Sequence, residues 1–145
     1  MAFVLALAPG THAEGDDVVA EGEFEGRGDH DVTGVVQIVA LAGGGHELRF
    51  GADFLFTFGH PPGEQFLHFD VRILSAANPE NAEAFLAQTP VPGLFGQPDA
   101  VLGPLQSMAG AQAYAIPAGT DVSLLGSVVV HCADFQVVMG HATLG

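Results

Sequence analysis

Val32-Thr33-Gly34-Val35-Val36-Gln37-Ile38-Val39 runs, after three residues, into Gly43-Gly44-Gly45 and then His46-Glu47-Leu48-Arg49-Phe50. The first segment is rich in β-branched residues, which suit a pleated, half-buried surface. Consecutive glycines supply the positive φ of a tight turn without steric cost. The spacing therefore predicts a hairpin, with 35–39 paired to 46–50. Further strands are predicted on both sides. Glu23-Phe24-Glu25-Gly26 opens the β region, and 53–58 continues it. Gly59-His60-Pro61-Pro62-Gly63 interrupts the ladder, because proline cannot donate to it. Phe66-Leu67-His68-Phe69-Asp70-Val71-Arg72-Ile73 then alternates. Phe66, His68, Asp70 and Arg72 fall on one face and Leu67, Phe69, Val71 and Ile73 on the other, which is the better core face.

Residues 75–100 have a different character. Asn78-Pro79-Glu80 combines a helix cap, a first-position proline and an early acid. A short helix is expected over 79–88, followed by a proline-rich loop over 89–98. β character returns at Leu102-Gly103-Pro104-Leu105, over 111–116, over 122–125 after the Pro117-Ala118-Gly119 turn, and in Ser127-Val128-Val129-Val130-His131-Cys132. Beyond the cysteine, Phe135, Val137 and Met139 alternate with Gln136, although Val138 breaks the pattern. The fold class is all-β: a single-domain antiparallel sandwich or barrel of about 8–10 short strands with one short helix.

At 145 residues the chain is one domain, 18–145, behind an N-terminal extension, 1–17. Residues 2–8 are apolar and lead to Thr11-His12-Ala13, so the extension reads either as a signal remnant or as a first strand; seven residues do not span a bilayer. There are 17 acids, three arginines and no lysine, for a net charge of −14. That balance excludes nucleic acid as a partner, since phosphates need cations, and anionic membrane surfaces for the same reason. The charge is spread out and keeps the surface solvated. Salt screens such self-repulsion, so the melting temperature is expected to rise from low to molar salt; a flat or falling trend in a thermal scan contradicts this.

Cys132 is the only cysteine. A lone thiol cannot form an intramolecular disulfide, so it is a core residue, a metal ligand or a redox group. His131 adjoins it, but neighbouring side chains on a strand point to opposite faces; only a bulge, at Ala133-Asp134, brings both to one side. Cys132, Met139, His141 and the distant His30 include the ligand types of a copper site, without cupredoxin spacing, and Cys132 with histidines also suits zinc. Gly28-Asp29-His30-Asp31 reads equally as a turn with a backbone-bonded histidine. His60 and His68 are expected at the surface. Asp16-Asp17, Asp29 with Asp31, and Glu21, Glu23 and Glu25 are expected to be solvated. There is no nucleophile elbow, phosphate loop or zinc-protease motif, so the chain does not read as a classical enzyme.

Several stretches resemble the DM-thirteen domain family. Glu23-Phe24 with Asp29 to Val36 is similar to its opening element, and Leu48-Arg49-Phe50 to Phe54 to its L-x-F-x-x-F strand. Leu102 to Leu105 with Gly110 to Pro117 follows its next motif. Ser127 to Cys132 with Phe135 to Gly140 resembles its terminal signature, the most specific of the set. Three features depart from the pattern. His131 replaces an aromatic residue, Gly59 to Gly63 replaces the usual turn, and 75–100 reads as an insertion. The resemblance implies an all-β domain outside the cytoplasm with a redox-active cysteine, here Cys132, and it favours His30 as its partner. Three functions follow as expectations. One is an extracytoplasmic redox-linked accessory domain with a protein or redox partner. Another is a non-catalytic structural or partner-binding module with Cys132 in its core. The third is an electron carrier holding copper or zinc through Cys132, His30 and His141.

Overall fold

A computed structural model describes residues 16–27, 30–57, 68–77 and 99–145. These form strands β1 (Asp17–Gly26), β2 (Asp31–Thr33), β3 (Val35–Ala40), β4 (His46–Phe50), β5 (Leu55–Thr57), β6 (Phe69–Leu74), β7 (Ala100–Pro104), β8 (Gln112–Ala115), β9 (Ser127–Cys132) and β10 (Val137–Thr143). Eight of them make one antiparallel sheet in the order β7-β6-β9-β10-β1-β3-β4-β8, and β2 pairs with β5. The hairpin read from the glycine turn is present as β3 and β4, in register from Val36 opposite Phe50 to Ala40 opposite His46.

The sheet curls into a nearly closed barrel. Just past β7, Gln106 donates its N–H to Tyr114 Oη at 2.9 Å and its side-chain amide to Ala113 O at 2.5 Å, tying one edge of the sheet to the other, β8. Inside, Phe50 stacks against Phe54, Phe24 and Tyr114 at centroid distances of 4.6, 5.0 and 5.3 Å. Val71, Ile73, Val128, Val130 and Cys132 belong to the same core.

The structure corrects three sequence expectations. Residues 122–124 are a single 3-10 turn rather than a strand, because Asp121 Oδ1 accepts the Ser123 N–H at 3.1 Å and captures the chain at that point. Phe135 does not continue a strand. β9 ends at Cys132, residues 133–136 turn, and Phe135 is 61% exposed. The irregular alternation at Val138 reflects a register shift between Val138 and Gly140. Finally, the polar face of β6 is not solvated: Arg72 is buried, with Leu74, Val129 and Val138 forming a second small apolar cluster on that side. Every residue of β9 is buried, so both of its faces are covered. The helix expected over 79–88 and the extension through residue 15 lie outside the described residues.

Candidate redox site

The register of β9 sets the chemistry around the thiol. Val128, Val130 and Cys132 point into the barrel, while Ser127, Val129 and His131 point outward. Cys132 is a free cysteine with no exposed surface. It stands on the last rung of both its ladders, opposite Phe69 on β6 and Val137 on β10. His131 faces the other way, as strand alternation predicts, and no bulge at Ala133-Asp134 reverses it.

His131 is also fully buried. Its Nδ1 lies 3.3 Å from Asp70 Oδ1 and 3.4 Å from Oδ2. Arg72 grips the same carboxylate as a fork, with Nε donating to Oδ1 at 2.8 Å and Nη2 to Oδ2 at 3.3 Å. Burial pushes the Asp70 carboxyl up, but the bonds from His131 and Arg72 outweigh it and hold the group below its ordinary value. A carboxylate only accepts, so Nδ1 carries the proton that faces it, and Nε2 points the other way. Among the described residues nothing bonds this buried nitrogen. Asp70 and Arg72 are the residues of this group that the sequence reading assigned to the face away from the core. The available signal was an opposite-charge pair two residues apart on a strand that otherwise reads as core.

The turn after Cys132 is tied to β6. The Ala133 N–H donates to His68 O at 2.8 Å, the His68 N–H to Asp134 Oδ2 at 2.5 Å, and His68 Nδ1 lies 3.2 Å from the same oxygen. The His68 backbone bond, reinforced by its ring, holds the Asp134 carboxyl below the ordinary carboxylate value. The His68 side chain is 80% exposed, in line with the sequence expectation; His60 lies outside the described residues.

His30 is buried in the β1–β2 turn, where its N–H donates to Arg27 O at 3.2 Å. The Arg27 N–H donates to Met139 O at 2.9 Å, so this turn and Cys132 share one end of the barrel. His141 pairs with Val129 and shares its outer face, so the sheet separates it from Cys132. Among the described residues no group of three or more His, Cys, Asp or Glu side chains is placed to hold a metal ion. Not all the acids are solvated. Asp16 is buried, accepting from Arg49 Nη2 and from the Ala42 N–H, each at 3.0 Å. A buried carboxylate needs such donors.

These features define a small all-β domain with one thiol at the closed end of a barrel strand and a buried ionic group behind it. The chain belongs to the family described as Electron transfer DM13, whose model matches residues 23–144. The match spans every strand from β2 to β10 and includes the element that carries Cys132. Membership gives the domain a redox-related role. No curated protein and no solved structure matches the chain.

Proposed function

We propose that this chain is an extracytoplasmic redox-linked accessory domain that exchanges electrons with a protein partner through Cys132. The observation that carries the reading is the family match, which runs through the strand holding the chain's single thiol. The chemistry open to one thiol is narrow. The thiolate attacks a hydroperoxide, the O–O bond breaks, and an S–O bond forms as two electrons leave sulfur. The departing oxygen takes the thiol proton and leaves as water or an alcohol. The resulting sulfenic acid condenses with a partner thiol, releasing water and forming a mixed disulfide. His30, at the same end of the barrel, is the residue we assign as its neighbour in this step.

A second reading is favoured by one observation, the complete burial of Cys132 in the core. In it the domain is a non-catalytic partner-binding module and the thiol only packs. Titration of the native thiol with a neutral pyridyl disulfide, repeated with a chelator and after unfolding, separates the two. The redox reading predicts native reaction unaffected by chelator, together with oxidation of Cys132 by hydrogen peroxide, and loss of both in Cys132→Ala. Reaction only after unfolding overturns it in favour of the packing role. Release by chelator alone revives the metal carrier. Alanine is the better probe, because a serine hydroxyl buried among apolar side chains costs about 1–3 kcal/mol by itself.

A further inference from the structure

We propose that Asp134 and His68 form a latch that holds the last rung of β9 closed and thereby sets how fast Cys132 is reached, an assignment that rests on the reading of Cys132 as the redox group. The depth of the thiol is the first argument. Cys132 has no exposed surface, yet its rung partners are Phe69, half-buried, and Val137, 39% exposed. The thiol therefore stands at the end of β9 rather than at its centre, beside a partner that reaches solvent.

The turn is the second argument. It begins at the residue after Cys132 and closes on it, with the Gln136 N–H donating to Cys132 O at 2.8 Å and the Gln136 amide to Ala133 O at 2.7 Å. Gln136 adopts φ 56°, a left-handed conformation that a non-glycine residue takes only where its surroundings hold it there. Phe135 at the tip is 61% exposed, so lifting the turn gives up little apolar burial at that position. What ties the turn to β6 is the Ala133–His68 backbone bond together with the Asp134–His68 group, whose side chains are 37% and 80% exposed. Water competes for each bond of such a surface tie. Local opening here is therefore far cheaper than global unfolding. Releasing it frays the Cys132–Val137 and Cys132–Phe69 pairs together, because both are terminal. Asp134 and His68 are positioning residues, acting on the thiol through the rung they close.

The experiment measures the rate of the native full-length chain with a neutral pyridyl disulfide across low urea, for wild type, Asp134→Ala and Asp121→Ala. Asp121 caps the turn before the opposite end of β9 and serves as the control. A reaction governed by local opening is nearly independent of urea, whereas one governed by global unfolding rises with its full denaturant slope. The latch predicts a urea-independent rate that Asp134→Ala raises several-fold and Asp121→Ala leaves unchanged. Equal rates in wild type and Asp134→Ala overturn it, as does a rate that follows global unfolding in both. Treating Asp134→Ala with hydrogen peroxide then tests the underlying reading separately. Gain of one oxygen at Cys132 supports it. Faster pyridyl disulfide reaction with no peroxide oxidation leaves the latch standing and overturns the redox role.

Discussion

Asp70→Ala is expected to lower the melting temperature by about 10 °C. Removing one partner of a buried ionic group costs about 3 kcal/mol or more, and a domain of this size shifts by roughly 3 °C per kcal/mol. The cost arises because Arg72, 4% exposed, and His131, fully buried, both direct nitrogen donors at this carboxylate. The same account predicts a rescue. Replacing Asp70, Arg72 and His131 together by leucine, methionine and phenylalanine removes the desolvated groups and the unbonded Nε2 at once, and recovers most of the lost stability. The pH dependence has a definite sign. The Asp70 carboxyl is held below its ordinary value, so its contribution is complete above the ordinary carboxylate range and disappears as pH falls through the folded-state value. Thermal scans across the acid range should show a shallower loss in Asp70→Ala than in wild type. An unchanged melting temperature in the single variant contradicts the account.

Gly34→Ala is expected to be strongly destabilising. Gly34 sits between β2 and β3 with φ 116°, and its carbonyl accepts the Phe24 N–H at 2.9 Å. A Cβ there lies 2.6 Å from Phe54 Cα and 2.8 Å from Phe54 N, both backbone atoms with no rotamer by which to yield. Backbone strain and overpacking, each about 1–3 kcal/mol, add to roughly 4 kcal/mol, a large share of a typical domain's 5–15 kcal/mol. Gly119→Ala is the matched comparison. Its φ is 86° and no atom stands within 4 Å of the added carbon, so only the conformational cost of about 1–2 kcal/mol applies. Urea midpoints of the two variants should differ accordingly, and equal midpoints would show that the contact with Phe54 carries no weight.

The all-β architecture was legible because its signals are local. The glycine turn set the β3–β4 register, and period two placed Val71 and Ile73 inward. Periodicity states which residues share a face and not what lies against that face. Asp70 and Arg72 accordingly fell with His68 on the face away from the core, and only the structure shows that burial begins between His68, just before β6, and Arg72 within it. The 122–125 segment failed for another reason. Its apolar residues suit a strand, but Asp121 and Ser123 offer the backbone a local bond that a ladder does not. Of the candidate site, strand alternation fixed the separation of His131 from Cys132. The Asp134–His68 tie joins residues 66 positions apart and has no local signature.

The contact between Gln106 and the end strand β8 bears on how this chain behaves at high concentration. An open eight-stranded sheet offers two unpaired ladders onto which a second copy can add, and edges of that kind nucleate fibrils. Here the Gln106 bonds to Tyr114 and Ala113 turn those ladders toward one another. A sequence that is 48% apolar and has no lysine to guard its edges is thereby protected by closure of the sheet, and that protection, unlike repulsion between acidic copies, persists when salt screens the charge.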